Sequence, residues 1–482
     1  MRISKGFIKS SLIYTLAGAL PMASAVILVP FYIAYLTTDL FGELSIYLAF
    51  SLLVQILVTF SFDTSVYIHF HEFKADKQKL STFVSSAFIF MMLIGLGVGV
   101  LLTVTGDLLF RLVLAKQQLS FYPYGLAAVG VGIFQSIFKV HSSLLQSRER
   151  PDIFLWSNVL SFFLIAAFTI VGLKLYPNTL TGPVTGRLLA SVITGVWVLF
   201  RIFREFGFRT DFTWLWSSFN FNIYTFIYQV LQWVINYFDR FLIAFFLLMS
   251  DVGVYDVAIK CLVVIELLMN GLHNSFYPKV VSGIMAQTEK GSVPELNRYY
   301  HGLTAVVMLL ICGCILFFPW LIDAFVTKPD YREAIRYIPY LSILYIFRTM
   351  RLYFAVPYGI LKYVRPMPVI YIVISGLKIL LVVLLVREFK IYGVIAASLV
   401  SVGAEIVLLR LNLRGKFRFR FNLFKVVLAP VMLFLLVIAL EPWLGTKYPL
   451  LLHSFYILFC LALLGWVYRN EIKLIDPWRI VK

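Results

Sequence analysis

The sequence predicts an all-α polytopic membrane protein of about fourteen transmembrane helices, built as two six-helix bundles related by an internal repeat plus two C-terminal helices. Three observations predict it. Hydrophobic residues make up 61% of the 482 positions and charged residues only 14%, outside the range of soluble domains. Apolar runs of about 20 residues recur from end to end, each long enough to cross a hydrocarbon core of about 30 Å. Short motifs of the first half return in the second at a nearly constant interval.

The first run, Ser11 to Leu36, follows a basic N-terminus and holds Pro21 and Pro30. Ala23-Ser24-Ala25 has the pattern of a signal-peptidase site, but the apolar run continues past it, which favours an integral first span. The runs Gly42 to Ser65, Ser81 to Val104, Pro123 to Val140, Ile153 to Leu173 and Pro183 to Phe203 complete a first bundle within residues 1–208. A second bundle within 209–420 begins with Phe219 to Met249 and Val252 to Tyr277, and continues through Tyr299 to Leu321 and Ile335 to Val356. Val369 to Val386 and Gly393 to Leu413 close it. Residues 421–482 supply two additional helices and a tail.

The repeat rests on ordered matches. Leu40-Phe41-Gly42 corresponds to Val252-Gly253 at an interval of 211, and at that same interval Gln55, Thr59 and Asp63 fall opposite Glu266, Asn270 and Asn274. These three polar positions share one helical face in each copy. Pro123 with Pro339, Arg150-Pro151 with Arg365-Pro366, and Gly182-Pro183 with Gly393-Val394 follow in the same order. An even number of spans repeated once keeps both copies in one orientation, so the axis relating them runs along the membrane normal.

A net charge of +18 distributed over short connections is the signature of inner-leaflet anchoring, and nucleic acid is not expected as a partner. With the N-terminus inside, roughly 27 of the 42 basic residues fall on the cytoplasmic side, which predicts both termini cytoplasmic. The basic run Arg410 to Lys425, with Arg414, Lys416, Arg418 and Arg420 alternating with phenylalanines, is expected on the anionic inner leaflet.

There is no Walker A loop, no H-E-x-x-H and no G-x-S-x-G, so no catalytic residues, metal ligands or cofactors are expected. Cys261, Cys312, Cys314 and Cys460 all lie in apolar runs without metal-ligand spacing. What remains is charge inside spans, which costs a few kcal/mol per group and usually faces a bundle interior. The seventh span carries Gln229, Gln232, Asn236, Asp239 and Arg240 at helical spacing. Asp239 and Arg240 point about 100° apart, so each needs a partner of its own or water. A wet cavity suits them, and so does an interfacial position from which both reach water. Arg348 and Arg351 share a face that suits phosphate, and snorkelling explains them equally well. Lys378 and Glu405 lie deep in their spans, where they can pair with each other. Asp256 and Lys260, four apart, read as a local helix pair. The candidate substrate-cavity residues are therefore Arg240, Arg348, Arg351, Lys378, Asp239, Gln232 and Asn236, with Asp63, Glu266 and Glu405 as ion-coupling candidates. Single alanine substitutions of Arg240, Arg348 and Arg351 are expected to leave inserted protein that no longer exports.

The prolines of the first span, the Asp39-Leu-Phe-Gly-Glu43 turn, the Tyr-Phe-Asp239-Arg240 stretch and the Ser-Asp-Val-Gly-Val-Tyr255 turn resemble bacterial polysaccharide flippases of the O-antigen (Wzx) type. These belong to the multidrug/oligosaccharidyl-lipid/polysaccharide (MOP) exporter superfamily, with the multidrug (MATE) exporters and the lipid II flippase. The resemblance implies a MATE-like fold in the bacterial inner membrane and alternating access around a cationic cavity. It also implies transport of undecaprenyl-diphosphate-linked oligosaccharide from inner to outer leaflet, with Na+ or H+ coupling and the polysaccharide assembly machinery as further expectations. The acids Glu266 and Glu405 among the basic candidates depart from a purely cationic cavity and read as ion coupling or charge pairing. Two other readings compete: a cation-coupled drug exporter, and a membrane glycan polymerase or ligase. The absence of a long external loop disfavours the last.

Overall fold

A computed structural model of the chain describes residues 17–18, 20, 24–117, 119–211, 213, 219–286, 294–325, 328–361, 363, 365–414, 422–444 and 449–469. Pro21 and the part of the basic run from 415 to 421 lie outside the described residues. Among those residues the secondary structure is helical, with no strand. The chain divides into two compact units by packing, residues 1–256 with 382–391 and residues 257–381 with 392–482, whereas the division at 208 and 420 follows the sequence repeat.

In the first unit, α1 (Val29–Tyr35) follows a break at Leu28 and carries Pro30 in its first turn, where the missing N–H costs nothing. Thr37 then caps α2 (Thr38–Thr59), its hydroxyl accepting from the Leu40 N–H at 3.3 Å. Phe60 (φ 42°) and Ser61 (φ 60°) end α2 in the left-handed region, and α3 (Phe62–Phe73) starts in a new direction. Two consecutive non-glycine residues there cost about 1–2 kcal/mol each. The break is held by Thr64 and Ser65, whose N–H groups donate to Ser61 O at 3.1 Å, and by the Phe60 ring against Phe219 and Phe226. It directs Asp63, in the first turn of α3, toward the helices that follow.

Next come α4 (Lys77–Leu114), α5 (Tyr124–Ser147), α6 (Pro151–Leu175) and α7 (Thr181–Phe206). Phe62, Phe70, Phe83, Phe88, Ile137 and Ile202 join α3, α4, α5 and α7 in one buried cluster. Ser85 and Ser86 of α4 hold the chain beyond α7, accepting from the N–H groups of Arg209 and Asp211 at 3.0 and 2.8 Å. The same unit includes α8 (Phe219–Tyr237), a break at Phe238, α9 (Asp239–Phe246) and the start of α10 (Met249–Ala286).

The repeat reappears here as geometry. Leu36 after α1 and Leu247 after α9, 211 apart, both leave the helix in extended conformation, with φ of −112° and −111°. Gly42 and Gly253, again 211 apart, meet backbone to backbone. A Cβ on Gly42 would lie 2.2 Å from Met249 O, and one on Gly253 would lie 2.1 Å from Thr38 O. No side chain fits at either position, which explains the glycine in each copy of the turn.

The second unit contains the rest of α10, then α11 (Pro294–Phe325), α12 (Ala334–Ile360), most of α13 (Met367–Asn412), α14 (Ala429–Leu444) and α15 (Pro449–Val467). Val307, Ile311 and Cys312 of α11 are fully buried, as are Val437 of α14 and Cys460 of α15. All four cysteines are free thiols in buried positions, consistent with small core residues. Pro339 and Pro357 lie inside α12, and the hydroxyl of Ser342 donates to Pro339 O at 2.6 Å.

Seven helices among the described residues are long and apolar enough to cross a membrane, and three shorter apolar helices accompany them. The longest, Met367–Asn412, is two helices meeting at Lys390 (φ 49°, ψ −131°). Together with the polar-striped α8–α9, α10 and α12, each of the fourteen expected spans has a helix. The protein is a multi-pass, all-α membrane protein.

Candidate functional site

Intramembrane charge must find partners, and the first unit meets that requirement in two clusters. In the first cluster, the break at Phe238 precedes two charged residues that engage partners 16 residues further along. Asp239 accepts from the Tyr255 hydroxyl at 2.7 Å, and Arg240 donates through Nη2 and Nε to Asp256 Oδ1 at 2.6 and 2.9 Å. Arg240 also reaches Ser45 Oγ at 3.2 Å and Asn236 O at 3.1 Å, with its guanidinium over the Tyr237 ring. Asp239, Arg240 and Asp256 are at most 5% exposed. Each member of the adjacent pair thus has its own partner, as the helical geometry requires. Asp256, expected to pair along its own helix with Lys260, accepts two bonds from Arg240. Gln232 and Asn236 bond to one another on α8, the Asn236 amide donating to Gln232 O at 2.7 Å.

The second cluster is more open. Lys139 Nζ of α5 lies 3.0 Å from Asp63 Oδ2, with the two side chains 36% and 13% exposed. Gln229 of α8 bridges both at longer range, its amide 3.4 Å from Asp63 Oδ1 and its carbonyl oxygen 3.5 Å from Lys139 Nζ. The rest of the polar stripe on α2 continues this face, with Gln55 donating to Gln135 O at 3.2 Å.

In the second unit, Arg348 of α12 donates to Glu266 of α10 at 2.9 Å, with side chains 23% and 29% exposed and Tyr345 beneath the guanidinium. Arg351, one turn on, lies 3.7 Å from Glu405 of α13, which is fully buried. Lys378, expected as the partner of Glu405, is itself buried. One helical turn separates the two arginines, so each reaches a different acid.

The two units therefore share a device. An acid on the second span pairs with a base on the fourth, and an acid on the eighth pairs with a base on the tenth, the spans corresponding by the repeat while the acids do not, since Glu266 falls opposite Gln55 and Asp63 opposite Asn274. Sequence reasoning missed Lys139 because the fourth span was expected to stop at Val140. The helix runs on to Ser147, so Lys139 lies two turns inside it. The signal was present in Gln135 and Lys139, four apart in an apolar run. Arg187, also missed, lines a small cavity with Tyr47 and Ser51 in the first unit. Among the described residues, no group of three or more His, Cys, Asp or Glu could hold a metal ion.

Helices broken at repeat-related points, with paired acids and bases inside the spans, define a two-repeat, all-helical membrane protein. The chain belongs to the family described as "Polysaccharide biosynthesis protein", whose profile matches residues 7–285, more than half its length. It is similar to an uncharacterized membrane protein of Haemophilus influenzae, 24% identical over 318 residues that cover 63% of this chain and 71% of that one. Its fold is similar to the lipid II flippase MurJ in an inward closed conformation, with a TM-score of 0.75 at 14% identity, covering 98% of this chain and 100% of that one. It is also similar to an inward-facing MATE multidrug transporter of the MOP superfamily, with a TM-score of 0.64 at 12% identity over 85% of this chain and 98% of that one. The fold is that of the MOP superfamily.

Proposed function

We propose that this chain is a flippase that carries an undecaprenyl-diphosphate-linked oligosaccharide from the inner to the outer leaflet of the bacterial inner membrane, and that it is not an enzyme. The observation that carries the reading is the set of partly exposed cations inside apolar helices, Lys139, Arg348 and Arg351. A diphosphate and a string of hydroxyls cannot cross about 30 Å of hydrocarbon alone, whereas the polyprenyl tail is at home there. Guanidinium groups match phosphate oxygens in geometry and in charge. Membership of a polysaccharide biosynthesis family and a fold shared with a lipid flippase support the same reading.

In this reading Lys139 within the first unit, and Arg348 and Arg351 within the second, are each suited to phosphate, while Gln232 and Asn236 add polar groups in the first unit and Lys378 adds positive charge in the second. Asp239 and Arg240, buried in their own pairs, hold the seventh helix together and act on the site through its position. Glu405, fully buried with its cation at 3.7 Å, is the acid best suited to coupling by Na+ or H+. Both termini lie in the cytoplasm, and the polysaccharide assembly machinery receives the product. Depletion in cells tests the reading. Lipid-linked oligosaccharide should accumulate where an external glycosidase cannot reach it, and normal surface polysaccharide with no such accumulation would reject it.

A further inference from the structure

The bilayer around a flippase is crowded with anionic phospholipids, and an open arginine or lysine inside the protein would be occupied by them. Lys139 and Arg348 are not open. Each is held by a carboxylate, at 3.0 Å in the first unit and 2.9 Å in the second, although each is still partly exposed. We propose that Asp63 and Glu266 are specificity filters, counter-ions that admit lipid diphosphates and exclude singly charged phospholipids. The proposal rests on the flippase reading and deepens it.

The physical argument is one of exchange. A phosphodiester bearing one charge offers the cation no more than the carboxylate it would displace, and it leaves that carboxylate without its cation inside an apolar helix bundle. A diphosphate brings two charges and several oxygens, which can span both amino groups of a guanidinium. Excluding the wrong partner by an unfavourable exchange is specificity by repulsion, and it works where tight binding alone cannot discriminate. The exposures fit this role. Pairs built only to staple helices are well served by burial like that of Arg240 with Asp256, at 6% and 2%, whereas these two pairs are 13–36% exposed. In the first unit Gln229 contacts both members, so its amide remains on Asp63 when Lys139 leaves. The recurrence of the pair between the second and fourth spans and between the eighth and tenth gives each unit one filter.

The test uses full-length protein in nanodiscs, with undecaprenyl diphosphate and phosphatidylglycerol as probes. In neutral lipid, Asp63→Asn and Glu266→Gln should each bind undecaprenyl diphosphate about fivefold more tightly than the parent, the scale of one released ion pair. Titrated phosphatidylglycerol should then compete in these variants and not in the parent, and Asp63→Glu and Glu266→Asp should keep the parent's resistance. If the neutral variants instead lose thermal stability, bind undecaprenyl diphosphate no better and stay resistant to phosphatidylglycerol, the pairs are helix staples and the filter is wrong. The underlying reading fails separately. If Lys139→Ala and Arg348→Ala bind undecaprenyl diphosphate as the parent does, these cations do not handle the head group at all.

Discussion

Arg240 and Arg348 carry the same guanidinium and should answer substitution differently. Arg240 is 6% exposed against a 2% exposed Asp256, so Arg240→Ala leaves a buried carboxylate without its cation. Loss of one partner of such a pair costs about 3–5 kcal/mol. Arg240→Ala should therefore lower the unfolding temperature and the yield of inserted protein, in contrast to the sequence expectation of a folded, inactive variant. Arg348→Ala, removing a pair that is 23% and 29% exposed, should stay within about 1 kcal/mol of the parent and still lose transport. Thermal denaturation alongside a transport assay separates the two. Outside the spans, Asp76 accepts from the N–H groups of Gln78 and Lys79 at 3.1 Å at the start of α4. These bonds hold its carboxyl below the ordinary aspartate range, the Lys79 N–H contributing most. A depressed value in the folded state stabilises above the unfolded value, about 3.9, and the contribution fades as pH falls through the folded value. Amide protection in the first turn of α4 should thus weaken below about pH 4 in the parent, and Asp76→Asn should remove that pH dependence. Charge inside spans was legible in the sequence at Arg240, Arg348 and Arg351, and was passed over at Lys139 and Arg187. Which charges pair was not legible, because partners such as Lys139 and Asp63 are 76 positions apart and meet only through packing.

At the scale of helices, the repeat was the most legible feature, because turn glycines and polar stripes leave marks that survive divergence. Gly42 and Gly253 show why. Each is fixed by the other's backbone and neither tolerates a Cβ, so Gly42→Ala or Gly253→Ala should separate the starts of α2 and α10. Overpacking of this kind costs about 1–3 kcal/mol, and the second substitution should add less than the first because both relieve one contact. Additive losses in a double-variant melt would show that the glycines act independently. The break at Phe60 and Ser61 was not legible, since neither residue favours the left-handed region and neither is a proline or glycine. Its counterpart in the second half, 211 positions on, is uninterrupted helix within α10. The kink is a departure from the repeat, and it lies just before Asp63, where local strain accompanies a residue of the candidate site.

At the scale of the whole chain, a fold of many apolar helices was written in composition and run length, and its membership of a polysaccharide biosynthesis family agrees with the motifs of its turns. Substrate is less legible, because a cation selects phosphate in general and the glycan leaves no periodic signature. The central claim is movement of a lipid-linked oligosaccharide across the bilayer, and one reconstitution tests it most directly. Purified protein goes into vesicles loaded with such a lipid on one leaflet, an ion gradient is imposed, and exposure to an external glycosidase is followed over time. The account predicts that the protein changes the glycosidase-accessible fraction, that Arg348→Ala does not, and that vesicles without protein stay constant. Equal accessibility with and without protein, in a preparation that exports a cationic dye under the same gradient, would contradict it in favour of a drug exporter.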